Sequence, residues 1–143
     1  MILYTDTKSM VRSPDGDTDF FDVISGVLQG DTLAPYLFVI CLDYALRKAF
    51  DSNKELGFTL SKRRSRRYPS VKITDADYAD DLAIISDYLT DGTVLLHKLE
   101  ETASEIGLYV NAKKTEFICL NQQHSGSIKS LNNNNILAVE EFT

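Results

Sequence analysis

Apolar residues recur at helical spacing in two stretches of this sequence, which predicts two amphipathic helices. The first covers residues 33–50, with Asp31 or Thr32 as its cap and Pro35 in its first turn, where a missing N–H costs little. The second covers residues 93–106, with Asp91 as its cap and Gly107 as its stop. The stripes are Leu33, Leu37, Phe38, Cys41, Leu42, Ala45, Leu46 and Ala49 in the first helix, and Leu95, Leu96, Leu99, Ala103 and Ile106 in the second.

Shorter apolar runs between turn residues predict β-strands. Val71 and Ile73 alternate with Lys72 and Thr74, which is typical of a half-buried strand. Residues 78–81 then form the bend of a hairpin, and residues 82–86 return as its second, more buried strand. Further strands are predicted at 2–4, 19–24, 57–60, 108–110 and 116–120, with a turn at 13–16. The pattern indicates an α+β fold in which a small antiparallel sheet packs on two main helices.

The periodic pattern weakens beyond Leu120. Residues 122–135 are rich in Gln, Ser and Asn and end in four consecutive asparagines, so we expect a mobile polar segment there. Apolar character returns over residues 136–143, which we interpret as the start of a further strand. Residues 1–121 would then form the folded body of the protein.

The composition is that of one globular domain, since 43% of the 143 residues are apolar and 10% are aromatic. The net charge of −6 argues against a protein that coats nucleic acid nonspecifically. Five of the 15 basic residues nevertheless fall within six positions: Lys62, Arg63, Arg64, Arg66 and Arg67. This run is either a solvated surface loop or a phosphate-binding site, and the sequence leaves both readings open.

Neither the cysteines nor the N-terminus indicates an extracellular protein. Cys41 and Cys119 lie in separate apolar runs without a CxxC pair or clustered His, so we expect buried, reduced thiols. The first residues lack the basic start and long apolar stretch of a signal peptide, and Asp43 and Arg47 interrupt the most apolar segment. We therefore expect an intracellular protein, nuclear or cytoplasmic, with no membrane partner.

The strongest chemical signal is the run DADYADD at residues 75–81, which places four carboxylates beside one tyrosine. Carboxylates this dense repel one another, and a cation that prefers oxygen ligands, such as Mg²⁺, relieves the repulsion. The alternatives are a solvated acidic turn for Asp80 and Asp81, and strand-surface positions for Asp75 and Asp77. The run indicates a divalent-metal site at the bend of the hairpin.

Four stretches, in this order, resemble the palm of a reverse transcriptase, most closely that of the LINE-type non-LTR retrotransposons. They are GVLQGDTLAPYLF at residues 26–38, YADD at 78–81, GLYVNAKKTE at 107–116 and VEEFT at 139–143. The last is similar to the segment that leads into the primer grip. A lone YADD is a weak signal, but four stretches in register, with the predicted helices between them, make a strong one.

The resemblance implies an RNA-directed DNA polymerase that uses two Mg²⁺ ions for nucleotidyl transfer. Asp80 is implied as a direct metal ligand and Asp81 as a second one. Gln29 and Gly30 would lie against the templating base and the incoming nucleotide, Tyr78 beside the primer end and Lys114 near the triphosphate. The implied partners are an RNA template, a DNA primer and deoxynucleotide triphosphates.

The sequence also departs from the family pattern, because a palm contributes a further metal-binding aspartate from a strand that would precede Met1. Fingers and thumb segments are likewise absent from the 143 residues. We expect these residues alone to be inactive as a polymerase. The alternative reading is a noncatalytic, retroelement-derived relic that binds nucleic acid or a protein partner.

Overall fold

The computed structural model describes residues 6–24, 26, 30–120 and 127–141. Packing divides the chain into two units, Met1–Phe38 and Val39–Thr143. Within the described residues the helices are α1 (Ala34–Phe50) and α2 (Leu89–Glu105), with a 3-10 turn at Lys54–Leu56. The strands there are β1 (Lys8–Ser9), β2 (Phe21–Asp22), β3 (Phe58–Ser61), β4 (Val71–Ile73), β5 (Asp75–Tyr78), β6 (Asp81–Ile84), β7 (Glu116–Phe117), β8 (Ser127–Lys129) and β9 (Asn135–Ala138).

The first unit contains the predicted turn and a short hairpin. β1 pairs with β2 in antiparallel register, Lys8 opposite Asp22. The Gly16 N–H donates to the Ser13 carbonyl at 3.0 Å, and the φ of Gly16 is 127°, a conformation that favours glycine. The strand predicted at 2–4 lies outside the described residues.

Helix α1 begins one residue after the predicted start, and the predicted capping region is confirmed. The Leu33 N–H donates to Oδ1 of Asp31 at 3.0 Å, and the Ala34 N–H donates to the Asp31 carbonyl at 3.3 Å. Both bonds satisfy donors that a helix start otherwise leaves unpaired. Pro35 lies in the first turn, as predicted.

The core of the second unit lies between α1, α2 and strand β6. Its buried residues are Leu46, Ala49 and Phe50 of α1 with Leu95 and Leu99 of α2, and the half-buried Leu42, Leu56, Leu82 and Ile84 pack against them. The Thr102 hydroxyl donates across the helix pair to the Ala45 carbonyl at 3.3 Å. Lys48 of α1 forms an ion pair with Glu105 of α2. The C-terminal half of the predicted α1 stripe therefore meets the α2 stripe, whereas the predicted stripe residues Leu33, Cys41 and Ile106 are exposed.

Helix α2 starts four residues before the predicted Thr93 and includes Gly92. The Ser86 side chain lies close to the backbone of Gly92, because a Cβ at position 92 would be 2.8 Å from the Ser86 hydroxyl. The predicted stop at Gly107 is confirmed: its φ is 78°, its N–H donates to Ser104, and the Leu108 N–H donates to Ala103. This pair of bonds is the Schellman motif.

Two hairpins carry the chain between the helices. β3 pairs with β4, and β5 pairs with β6, both antiparallel. The strand predicted from the alternation of residues 71–74 forms β4, and Thr74 separates it from β5; the Thr74 carbonyl accepts the Ile85 N–H at 2.8 Å. The hairpins are bridged where Gly57 pairs with Ser86.

The C-terminal sheet has the order β7-β9-β8, with β9 in the middle. β9 is parallel to β7 and antiparallel to β8. Part of the segment expected to be mobile is therefore regular: residues 127–129 form β8, and Ser130 is buried. Residues 122–126 lie outside the described part. The strand predicted at 108–110 is not formed, because β7 takes its partner from the far end of the chain.

The α+β class is confirmed, with two helices and small, mostly antiparallel sheets among the described residues in place of one continuous sheet.

The prediction that both cysteines are buried was wrong for Cys41, which is exposed on α1; Cys119 is half-buried. Cys41 follows Val39 and Ile40, which are also exposed and lie off the face that meets α2. Across the described residues, neither helix has both the length and the apolar character needed to cross a membrane.

Candidate active-site hairpin

The β5–β6 hairpin places the YADD residues at a two-residue turn. Tyr78 and Asp81 are the last paired residues, so Ala79 and Asp80 form the loop. The φ of Ala79 is 57°, a left-handed conformation that tight hairpin turns require and that costs a non-glycine residue about 1–2 kcal/mol. Asp80 is held at the tip of the hairpin by this bend.

The register separates the four carboxylates of the run onto different faces. Residues opposite each other in an antiparallel pair project to the same face, and successive residues alternate. Asp75 and Asp77 lie opposite Ile84 and Leu82, whose side chains pack toward the helices, although Asp77 itself is exposed. Asp81 lies opposite Tyr78, on the outward face. Sequence spacing alone did not make this distinction.

The outward face is open and lined by small side chains. Ala76 lies opposite Ala83, adjacent to the Tyr78–Asp81 pair, and all four residues are exposed. Tyr78 is 84% exposed. Because alanine projects only a methyl group, an extended ligand can approach the backbone of this face closely. Ala76 and Ala83 were not among the predicted site residues, and the alternation of β5 and β6 about the turn places them on this face.

The carboxylates of Asp80 and Asp81 are available for a ligand. Both residues are exposed, and in the part of the chain that the structure describes neither side chain has a hydrogen bond or ion pair. Asp75 differs, because its Oδ1 accepts a hydrogen bond from the Thr74 hydroxyl. Mg²⁺ is commonly bound by one or two carboxylates together with substrate phosphates, and this pair fits that donor set.

The described residues do not assemble a larger metal centre. Among them, no group of three or more His, Cys, Asp or Glu side chains is arranged to hold a metal ion. The hairpin therefore presents two exposed carboxylates, Asp80 and Asp81, and a bound metal ion would need further ligands from substrate, water or additional protein.

Lys114 lies on a separate, well-defined turn. The Asn111 carbonyl accepts the Lys114 N–H at 2.9 Å and the Thr115 N–H at 3.0 Å, while Oδ1 of Asn111 accepts the Lys113 N–H at 3.2 Å. The Lys114 side chain is exposed. An open groove of about 340 Å³ beside this turn is lined by Val110, Asn111, Ala112, Lys113, Asn134 and Asn135, none of which belongs to the β5–β6 hairpin.

Gly30 lies in the first unit, just before the cap of α1. Its φ is 90°, and a Cβ there would meet nothing within 4 Å, so the glycine serves the backbone conformation and leaves open space around it. Gln29, the other residue predicted to contact template and nucleotide, lies outside the described residues.

The hairpin thus places Asp80 in a two-residue turn, between the exposed residues Tyr78 and Asp81. Its strand β6 packs against the helices. Residues 4–136 match the reverse transcriptase (RNA-dependent DNA polymerase) family, and the chain belongs to that family. It is also similar to a retrovirus-related Pol polyprotein from the type-1 retrotransposable element R2 of Bradysia coprophila, with 27% identity over 106 residues. The family match confirms the identification from sequence as a reverse transcriptase, and the similarity to a polyprotein of a retrotransposable element agrees with it.

The similarity covers 74% of this chain and 11% of the R2 polyprotein, so the chain spans about a tenth of the length of that relative. No solved structure matches the chain.

Proposed function

We propose that this chain is the palm section of an RNA-directed DNA polymerase, and that Asp80 and Asp81 are its metal ligands. The observation that carries the proposal is the β5–β6 turn, which presents two unpartnered carboxylates beside Tyr78 on an open face. Membership of the reverse transcriptase family supports the reaction class. An RNA template, a DNA primer and deoxynucleotide triphosphates would be the substrates of the whole enzyme.

Each residue of the hairpin has a proposed part in the reaction. The carboxylates of Asp80 and Asp81 would hold Mg²⁺, which when bound stabilises the attacking and leaving oxygens of an in-line phosphoryl transfer. Tyr78, opposite Asp81, would pack against the sugar or base at the primer end, and the methyl groups of Ala76 and Ala83 would leave room for the strand. The core contacts of Leu82 and Ile84 hold the hairpin against the helices.

We also propose that Lys114 lies near the triphosphate. Gln29 and Gly30 would lie against the templating base and the incoming nucleotide. Lys114 is an exposed cation on an ordered turn, and a lysine can offset the charge of a triphosphate or donate a proton to the departing pyrophosphate. The open space around Gly30 suits close approach of a base or nucleotide to the backbone.

Mn²⁺ binding, followed by electron paramagnetic resonance, tests the ligand assignment on the 143-residue chain. We expect Asp80→Asn to weaken binding by at least about tenfold, since loss of outer partners alone costs about 10–100-fold in metal sites. Asp77→Asn is the matched control, because Asp77 has the same chemistry on the same hairpin but projects to the inner face. Equal effects of both substitutions would mean that only the local charge matters, and the assignment would fail.

Primer extension by a longer reverse transcriptase that contains this chain tests the activity. Asp80→Asn should lower nucleotide incorporation by about 10³-fold, because metal stabilisation of the transition state is worth several kcal/mol. Full activity of the Asp80→Asn enzyme would exclude the catalytic role. The alternative, a noncatalytic relic, predicts that the longer protein does not extend a primer even when Asp80 is intact.

A further inference from the structure

The loop that joins β3 to β4 concentrates positive charge at one end of a hairpin. Residues 62–70 form this connection, which we call the basic loop, and all nine are exposed. Its five cations are Lys62, Arg63, Arg64, Arg66 and Arg67. The rest of the chain holds the other ten basic residues and all 21 acidic ones, so the loop opposes the net charge of −6.

Unlike most other cations of the protein, those of the basic loop form no ion pair within 4.0 Å among the described residues, although Lys62 helps to lower the pKa of Asp87 from a longer distance. Outside the loop, six of the ten basic residues lie within 4.0 Å of a carboxylate oxygen: Lys8, Arg47, Lys48, Lys54, Lys72 and Lys98. Within the described residues, none of the five loop cations forms such a pair. The loop therefore holds repelling charges that a polyanion would neutralise.

Tyr68 closes the basic loop and projects an aromatic ring from it. The Tyr68 carbonyl accepts the Arg64 N–H at 3.1 Å, and its own N–H donates to the Ser65 carbonyl at 3.2 Å. These are backbone bonds, so they hold the loop without using the ring, which belongs to a residue 65% exposed. An aromatic face among arginines is the combination that binds stacked bases and their phosphates.

The base of the hairpin is anchored, so the loop is presented on a fixed stem. The Thr59 hydroxyl donates to Asp87 at 2.7 Å, and Lys72 lies 3.8 Å from the same carboxylate. Lys72 also donates to the Glu55 carbonyl. A Cβ at Gly57 would lie 2.4 Å from the Ile73 carbonyl oxygen, so the strands there are in close contact.

We infer that the basic loop is a binding site for single-stranded nucleic acid, in addition to the polymerase site proposed above. Four of the five cations are arginines, whose planar guanidinium matches a phosphate through two hydrogen bonds. Tyr68 supplies the stacking surface. Residues 62–70 contain no aliphatic side chain that could insert into a lipid surface, which disfavours a membrane as the ligand.

The basic loop and the YADD turn belong to different hairpins of the chain. The basic loop ends where β4 begins, and the turn follows the end of β5, so residues 71–78 lie between them. An extended run of that length spans up to about 26 Å at about 3.3 Å per residue. The basic loop and the YADD turn thus lie at opposite ends of the β4–β5 segment, at most about that far apart.

Fluorescence anisotropy with a labelled oligomer of about 20 uridines, in EDTA, tests the inference on the 143-residue chain. Five phosphate contacts predict an affinity loss of about 130-fold between about 50 mM and about 200 mM salt, from a slope of about −0.7 per contact. Replacing Arg63, Arg64 and Arg66 by Ala leaves two contacts and predicts a loss of about 7-fold over the same range.

The control variant replaces Lys8, Lys54 and Lys98 by Ala, which removes three paired cations and changes the net charge equally. It should keep the steep salt response of the original chain. If both triple variants respond alike, the binding follows net charge alone and the inference is overturned. Thermal melting followed by circular dichroism verifies that each variant is folded.

Tyr68 tests the stacking part of the inference. Tyr68→Ala should weaken binding of the uridine oligomer by about 5- to 150-fold, and Tyr68→Phe should retain it, because stacking is worth about 1–3 kcal/mol per base. An unchanged affinity for Tyr68→Ala, or tighter binding to a duplex of equal length or to phosphatidylserine vesicles, would refute a single-strand site. Because the anisotropy is measured in EDTA, it does not depend on metal at Asp80, so failure here and failure of the metal assignment are distinguishable.

Discussion

Gly57→Ala is the substitution whose effect the structure specifies most directly. A Cβ at this position would lie 2.4 Å from the Ile73 carbonyl oxygen and 2.8 Å from its carbon, and both are backbone atoms that no rotamer change can move. Ordinary contact requires roughly 1 Å more. The stem of the β3–β4 hairpin must therefore separate, which strains the Gly57–Ser86 bridge beside it.

The expected cost is about 2–3 kcal/mol, the upper part of the range for overpacking a well-packed site. Urea denaturation followed by circular dichroism measures it; with an m-value of about 2 kcal/mol/M, the midpoint should fall by about 1–1.5 M. The oligonucleotide affinity of the basic loop should fall as well, because its stem is displaced.

Gly92→Ala is the matched control for Gly57→Ala. A Cβ at position 92 would meet the Ser86 hydroxyl at 2.8 Å, and this oxygen can rotate away. The loss of its hydrogen bond to the Tyr88 carbonyl, about 1 kcal/mol, is offset by a gain of about 1 kcal/mol in helix propensity. Equal midpoints for Gly57→Ala and the original chain would refute the close approach of β3 and β4.

Two further predictions concern the hydrophobic core and the dependence of stability on pH in the acid range. Leu95→Ala, at a side chain with 0% exposure, should lower the free energy of unfolding by about 2.7–5 kcal/mol in urea denaturation, and a loss below about 1 kcal/mol would contradict the helix packing. The Thr59 hydroxyl and N–H both donate to Asp87 and lower its pKa from the ordinary 3.8. The ionised carboxylate therefore stabilises the fold above pH 3.8. This contribution is lost as the pH falls through the lowered pKa. Asp87→Asn should therefore be less stable than the original chain at about pH 7, with the difference shrinking below about pH 4; a difference independent of pH would exclude the linkage.

The sequence correctly predicted the helix ends and turns that depend on interactions within a few residues. Asp31 and Pro35 marked the start of α1, Gly107 marked the end of α2, and the YADD residues marked the turn between β5 and β6. Each depends on hydrogen bonds or dihedral angles within a few residues. The family followed from motif order, which needs no three-dimensional information.

Elements that depend on distant residues could not be predicted in this way. Helix α2 begins at Leu89, before the predicted cap Asp91, and continues through Gly92 despite the low helix propensity of glycine. The strand expected at 108–110 is absent, since β7 pairs in parallel with β9 some twenty positions later. The separation of Asp77 from Asp81 onto opposite faces required the register of the hairpin.

The middle position of β9 in the C-terminal sheet has a consequence for the order of folding. β7 and β8 both pair with β9, and β9 follows both of them in the chain. During synthesis from the N-terminus, these two strands therefore emerge before the one strand that pairs with each of them. The residues of the α1–α2 core are all made before β9, whereas this sheet cannot form until residues 135–138 have been synthesised.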